Sequence, residues 1–567
     1  MNKLLSSKYW WIFLIIILVG INYLASGIHY RLDLTGEKRY TLSEPTKKML
    51  RNLNDRVLIT FYLDGEMPAP FKKLSNEAKE LLQEFKELGK SNIQLKFGRP
   101  GEGMDDTARV NLVNYLTDSL GLKPTNVQVQ AAAGESQEER LVYPGAVISY
   151  KDNEIAVNLL EGQSMTGGYQ TLNNAEALLE YRFANAIQKV TTDSVAVIGY
   201  LVGNGQPETY NVYDLIQNTL KPRYGFGFVP IDSFPVLPQD FDALMIVKPT
   251  TAFSDDQKLK IDQYIMNGGK VIWLIDKLYA EMDSLMRSQS DFVAFDRNLN
   301  LDDILFKYGV RINPDLVQDI KCEKLPQVVG NFGDKPQVEM IPWPYFPLLS
   351  SFSGHPISKN LDDVLSIFPN SIDTVKTEGI KKTVLLETSS ASRSLSTPAI
   401  VTLNSGKTKE EVSTFNRKNI PVAMLLEGRF ASLYSNRLAK SKADSLNAVG
   451  QPFRNNSVSE NKMIVISDAD IVSNVVTKKD GPIAMGENQF TQYKYANQDF
   501  ILNSIEYLTN PSGILEARGK DFTLRLLDPK KVDSSKLMWQ ILNIVVPMAL
   551  IVIFGLIYQF IRRRKYQ

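Results

Sequence analysis

The chain has 567 residues, ordinary hydrophobic content, and 64 basic against 63 acidic side chains. That length allows several domains, and the balanced charge lacks the basic face of a nucleic-acid binder. One cysteine and two histidines exclude an internal disulfide and a His/Cys zinc cluster, since Cys322, His29 and His355 are the whole supply.

The chain opens on Met1–Lys8, a head with Lys3 and Lys8 and no acid. From Tyr9 no charge follows until Arg31 if His29 is neutral. This predicts a membrane helix over 9–28 with its basic head on the cytoplasmic side. The rival is a cleaved signal peptide with Ala25-Ser26-Gly27 as its small residues. The apolar run is long for a signal, and Trp10-Trp11 suits an interfacial belt, which favours an anchor.

A first exported α/β domain is expected over 31–190. Ser43-Glu44-Pro45 starts a helix. Val57–Leu63 and Ile93–Phe97 read as strands. Between them, Leu74, Ala78, Leu81, Leu82, Phe85 and Leu88 fall on one helical stripe. Strand, helix, strand predicts a small unit of thioredoxin-like shape, without the Cys-x-x-Cys of thiol chemistry. Further strands are expected near 127–130, 146–150 and 155–159. A helix over 173–190 turns Leu178, Leu179, Phe183, Ile187 and Val190 inward and leaves Glu176, Glu180, Arg182 and Lys189 as a solvated face.

A central domain is expected over 191–512. Apolar strands at Val195–Tyr200, Phe228–Ile231, Ala243–Val247 and Val271–Asp276 alternate with helices near 212–220 and from Ser254 to Met266, the latter stopped by Gly268-Gly269. This alternation predicts a doubly wound parallel sheet, which places ligands at the carboxyl ends of its strands. Gly203-Asn-Gly-Gln-Pro-Glu208 and Lys248-Pro-Thr-Thr251 sit at such ends. They read either as a ligand or partner pocket or as ordinary turns, and no third glycine completes a dinucleotide fingerprint. No Gly-x-x-x-x-Gly-Lys-[Ser/Thr] occurs, so a P-loop ATPase is excluded. Cys322 lies past the sheet strands and His355 sits in a Gly-His-Pro loop with no nucleophile at a recognisable spacing. No catalytic, cofactor-binding or metal-ligating residue is assigned.

Pro342-Trp-Pro-Tyr-Phe-Pro347 is held extended by three prolines. Its Trp343, Tyr345 and Phe346 form either a partner-facing patch, a wedge near the membrane surface, or a loop folded over the core. A mobile polar loop is expected over 436–461. Asp468 and Asp470 follow the strand Met463–Ser467; they either hold a cation or cap the next turn. A return segment, 513–536, leads to an uncharged stretch, 537–561, with Trp539 and Tyr558 near its ends and Arg562-Arg563-Arg564-Lys565 beyond. Its length and flanks predict a second membrane helix with a cytoplasmic tail, 562–567. Both termini are then cytoplasmic and the bulk of the chain lies across the inner membrane. Asn543, Pro547 and Gly555 within it suit contact with another helix.

The order of several stretches resembles a known family: Arg31-Leu-Asp-Leu-Thr with Tyr40-Thr-Leu-Ser, Gly203-Asn-Gly-Gln-Pro-Glu, Met266-Asn-Gly-Gly-Lys-Val, Pro342-Trp-Pro-Tyr, His355-Pro-Ile, Ser467-Asp-Ala-Asp and Asn543-Ile-Val-Val-Pro. They are similar to the auxiliary, substrate-binding-like subunits of ABC transporters linked to gliding motility in Bacteroidota. The resemblance implies partnership with a polytopic permease and a cytoplasmic ATPase, and room for a homo-oligomer within the complex. It also implies a central amidotransferase-like α/β fold without its catalytic cysteine. It supplies no binding residues. The expected protein is thus a non-catalytic, two-pass transport subunit without cofactor. The alternatives are a doubly anchored ligand-binding or sensory protein and a degenerate amidotransferase-like hydrolase.

Overall fold

The computed structural model describes residues 41–130, 137–160, 169–192, 195–284, 291–332, 335–406, 408–519 and 538–566, with residues 15, 18–20 and 535. The expected anchor over 9–28 therefore lies outside the described residues, apart from helical, exposed Ile15 and Leu18–Gly20. So does most of the return segment. The chain divides into two units, Met1–Lys520 and Asp521–Gln567.

In the first unit, α1 (Glu44–Arg51) carries Pro45 in its first turn, where a missing N–H breaks no helical bond. β1 (Val57–Phe61) buries every second residue, Val57, Ile59 and Phe61. α2 (Ala69–Gly89) adds Leu74, Ala78, Leu82 and Phe85 to the same core. β2 (Ile93–Phe97) runs parallel to β1, with Val57 opposite Ile93. β3 (Gly145–Tyr150) and β4 (Asn153–Asn158) add antiparallel neighbours, for a sheet order β2-β1-β3-β4.

The single helix expected over 173–190 is broken at Leu178 into α3 (Tyr169–Ala177) and α4 (Leu179–Thr191). Its charged face is only partly solvated. Glu176 pairs with Lys73 at 2.8 Å, but Glu180 is 4 % exposed and accepts the Ser43 N–H at 2.7 Å. Position 180 stands three, four and seven residues before Phe183, Ala184 and Ile187, so helical geometry puts it on the buried stripe. There its carboxylate meets the start of α1, where helix dipoles favour an anion.

The central sheet begins with β5 (Val197–Val202), β6 (Gly225–Pro230) and β7 (Ala243–Val247). α5 (Asp255–Met266) starts on a complete capping box between Ser254 and Gln257. It ends before Gly268, whose φ of +99° suits glycine. β8 (Lys270–Leu274) follows. A β-rich lobe then intervenes with β9 (Leu278–Tyr279), β10 (Asp291–Asp296), the long hairpin of β11 (Cys322–Phe332) and β12 (Lys335–Leu349) and, after β13 (Ile380–Glu387) has returned to the central sheet, β14 (Ala399–Thr402). β15 (Pro421–Gly428) and β16 (Asn461–Ile466) complete a seven-stranded sheet, ordered β13-β15-β16-β8-β7-β5-β6. From β6 to β16 all neighbours are parallel; β15 and β13 close one side antiparallel. β8 is covered on both faces: Ile272 and Leu274 join one core, Val271 and Trp273 the other. Such burial explains the near-continuous apolar runs.

The aromatic Pro342–Pro347 segment is not an outward patch. Trp343, Tyr345 and Phe346 are 0, 1 and 6 % exposed and pack around Phe368 in the core of the β-rich lobe. Trp343 Nε1 donates to the Thr402 carbonyl at 2.9 Å and the Tyr345 hydroxyl to the Ile400 carbonyl at 2.8 Å. Their polar atoms are thus satisfied inside while the rings remove apolar area from water. The stretch expected as a mobile loop holds α6 (Lys440–Ala448), of which Leu446 is buried.

α7 (Asn497–Thr509) and a short 3-10 turn, Ile514–Gly519, end the unit. Ile514, Leu515 and Ala517 share a core with Leu42 and Leu50, and a Cβ added to Gly513 would lie 3.4 Å from Pro45 Cγ. Arg518 donates to Asn503 Oδ1 at 3.0 Å and lies over the Tyr181 ring. The Ile514–Gly519 turn therefore follows a residue, Gly513, that packs beside the start of α1.

The described part of the second unit is helical. A π-helical turn, Ile541–Val545, leads into α8 (Val546–Tyr566). Pro547 has no N–H for the carbonyl four residues back, that of Asn543, and the widened turn in which the Val546 N–H bonds the Ile541 carbonyl lies at that point. Met538–Arg564, 27 residues, is the one helix among the described residues long and apolar enough to cross a bilayer, and none of it is buried.

Candidate functional site

Three neighbouring parallel strands, β7, β8 and β16, end side by side, and each is followed within four residues by charge: Lys248, Asp276, and Asp468 with Asp470. The Lys248 ammonium lies 2.5 Å from Asp470 Oδ1, 3.1 Å from Glu281 Oε2 and 3.4 Å from Asp276 Oδ2. Its backbone is in the left-handed region, φ +46°, and its N–H bonds the Leu274 carbonyl at 2.9 Å. Arg297, after β10, pairs with Glu281. Asp468 is fully buried and takes N–H groups from Ile367 at 2.7 Å and Asp470 at 2.8 Å, together with the Ser366 hydroxyl. Asp276 Oδ1 accepts the Ala469 N–H at 2.6 Å.

Of the two readings of Asp468 and Asp470, the cap is realised at Asp468, which opens the 3-10 turn Ala469–Ile471. Asp470 instead reaches Lys248. Carboxylate oxygens of Asp276, Asp468 and Asp470 lie within 4.8 Å of one another, a spacing that could hold a metal ion. The Lys248 ammonium already supplies a cation to two of the three. Four carboxylates thus face two cations in a largely buried space. Burial pushes Asp276 up to about 6, against the pull of Lys248 and with the push of Asp470. Burial likewise raises Asp468 well above the ordinary carboxylate range. Burial would depress Lys248, but Asp470, Asp276 and Glu281 outweigh it and hold the ammonium charged above its usual range.

The Gly203–Glu208 loop sits one strand away, after β5, where the chain order of the parallel strands reverses between β5 and β7. Gly203 has φ +129° and Gly205 +71°, and a Cβ on Gly205 would come within 2.1 Å of Thr250 Oγ1. Asn204 Nδ2 donates to the Ala252 carbonyl and to Gln257 Oε1, and the Thr250 N–H bonds the Asn204 carbonyl. Asn204 Oδ1 and Gln206 Nε2 are buried without a hydrogen-bond partner among the described residues.

Cys322 stands at the start of β11, remote in sequence from any strand-to-helix turn of the central sheet. Burial and the nearby Asp319 and Glu323 push its thiol up to about 12, the reverse of what a nucleophile requires. His355 packs edge-on against Tyr507, and burial lowers its imidazole to about 4. Asn543, Pro547 and Gly555 lie on the exposed helix of the second unit. The Lys248 cluster joins residues up to 222 positions apart. Its signal in the sequence was positional for Lys248, Asp276, Asp468 and Asp470, each among the first charged residues past an apolar strand; Glu281 and Arg297 carried no such signal.

A mixed α/β chain with one exposed apolar helix long enough to cross a bilayer points to membrane association. The family is established by comparison: a model described as "ABC-type uncharacterized transport system", an auxiliary family, matches residues 196–504, more than half the chain, and the chain belongs to it. A model for a domain of unknown function matches residues 36–149. An uncharacterized protein of Borreliella burgdorferi is 20 % identical over 552 residues, covering 94 % of each chain. Among solved structures, the mmIFT52 N-terminal domain is matched over 56 % of this chain and 98 % of its own, at 12 % identity and a TM-score of 0.31.

Proposed function

We propose that the chain is a non-catalytic membrane subunit of an ABC-type transporter of the kind linked to gliding motility, anchored at both ends in the inner membrane. Its large domain lies in the periplasm, and it works with a separate permease and ATPase. The observation that carries this reading is an unburied 27-residue apolar helix on a chain of an ABC-transport auxiliary family. The order β2-β1-β3-β4 supports a thioredoxin-like first domain over 31–190, and the parallel core supports an amidotransferase-like second domain over 191–512.

Mild-detergent isolation of the full chain should bring a polytopic permease and an ATPase with it. Recovery of the chain alone, under conditions that keep other ABC complexes whole, would count against the assembly. The bulge at Asn543, the ring of Pro547 and the bare Gly555 suit packing on a permease helix. A photo-crosslinker at position 543 should trap protein there; adducts to lipid alone remove that contact.

A second reading, a doubly anchored ligand-binding or sensory protein, draws on the unpartnered Asn204 Oδ1 and Gln206 Nε2 at the strand reversal. A small polar ligand with a matching donor and acceptor should raise the melting temperature of the wild type and not that of Gln206→Leu. An equal shift in both would locate binding elsewhere.

A further inference from the structure

The basic end of the apolar helix is built in a way that distinguishes between partners. α8 stays helical through Arg562, Arg563 and Arg564, all exposed. Successive helical residues step by about 100°, so the three guanidinium groups leave the helix on three different sides. A protein docking along one side would meet one or two of them. A surround of phosphates meets all three.

The depth agrees. Trp539 and Tyr558, 51 and 60 % exposed, are separated by about 29 Å at ~1.5 Å per residue, close to a hydrocarbon core of ~30 Å. Arg562–Arg564 then lie roughly 6–9 Å beyond Tyr558, within the headgroup layer. Arg564 sits over the Phe560 ring at 5.1 Å, which holds its stem along the helix instead of projecting it into bulk water. Guanidinium groups bind phosphate oxygens in pairs.

We propose that Arg562, Arg563 and Arg564 form a cationic collar that binds the phosphates of anionic phospholipids around the whole circumference of the helix. The collar selects those lipids from the surrounding leaflet. The proposal rests on reading 537–561 as a membrane span.

The test uses the full chain in vesicles of equal phosphatidylglycerol and phosphatidylcholine, with retained lipids identified by native mass spectrometry after release. The wild type should hold phosphatidylglycerol over phosphatidylcholine by about fivefold, the preference fading as salt rises to about 0.5 M. The combined Arg562→Gln, Arg563→Gln, Arg564→Gln variant should lose the preference while resisting carbonate extraction as the wild type does. A variant that keeps the preference, or a wild type without one, overturns the collar. Loss of permease or ATPase co-isolation in that variant, with no lipid preference in the wild type, assigns the cations to an acidic protein surface and also overturns it. A wild-type chain released by carbonate removes the span itself and the collar with it; a retained chain without lipid preference removes the collar alone.

Discussion

Lys248→Met is expected to cost the first unit on the order of 3–5 kcal/mol, the range for removing one partner of a buried ion pair. Methionine fills much of the lysine stem's volume, so the loss is mainly one of charge. Asp470, Glu281 and Asp276 would then share a confined space without the ammonium now 2.5, 3.1 and 3.4 Å away. None of these side chains is more than 27 % exposed, so water screens the loss only weakly. Trp273, buried in β8 shortly before Asp276, reports the region by fluorescence. The melting temperature of the variant should fall by about 4 °C at pH 8.

The deficit should shrink in acid. Asp276 binds its proton more tightly in the folded chain, up to about 6, than in the unfolded chain, about 4. The native state therefore holds the extra proton between those values, and this group's stabilising contribution is complete below about pH 4 and lost as pH rises through about 6. Without Lys248 the carboxylates take up protons more readily still, so wild type and variant should converge toward pH 5. Lys248→Arg keeps the charge and should stay close to wild type. A methionine variant that melts within about a degree of wild type at pH 8 would show that the carboxylates do not depend on the ammonium.

The Lys248 cluster also marks where sequence reading stops. Local signals translated well. The alternation of Ile93–Phe97 became a strand with those bounds, and Ser254 and Gly268 bracket α5 as their cap preferences require. Those signals are confined to a turn or a period. Lys248, Asp276 and Asp470 were each visible at a strand end, but their meeting depends on β16 lying next to β8, and a long β-rich insertion separates those strands in the chain. For Glu180 the buried position follows from local helical spacing, but its partner, the Ser43 N–H, is 137 positions away. The aromatic segment at Trp343–Phe346 shows a different gap. Prolines and rings describe an extended, apolar path, but which side meets the core is set by carbonyls of β14 that accept from Trp343 and Tyr345. The exposed helix was legible because length and the absence of charge suffice to define it.

Asp262→Ala should be comparably damaging for the opposite electrostatic reason, since no cation is involved. Asp262 is completely buried in α5. Its Oδ1 accepts the Tyr308 hydroxyl and the Leu433 N–H, each at 2.9 Å, and its Oδ2 accepts the Ser432 hydroxyl at 2.6 Å and Gln263 Nε2 at 3.0 Å. Burial raises its pKa in spite of those bonds, so the side chain works as an acceptor hub joining α5 to the segment after β15. Alanine strands four donors. Gln263 Nε2 keeps the Arg454 carbonyl, but the Leu433 N–H, the Tyr308 hydroxyl and the Ser432 hydroxyl, which otherwise only accepts from the Tyr434 N–H, have no other acceptor among the described bonds. At about 1–3 kcal/mol for each stranded buried group, a loss of about 3–5 kcal/mol is expected. Asp262→Asn separates the hub from the charge: its Oδ1 can accept the same two bonds, while its amide can donate to Ser432 Oγ but no longer accepts the Ser432 proton, and it meets the Gln263 amide as a second donor. The asparagine variant should therefore recover most of the loss, measured by chemical unfolding. An asparagine variant as unstable as alanine would mean that the negative charge itself is required there.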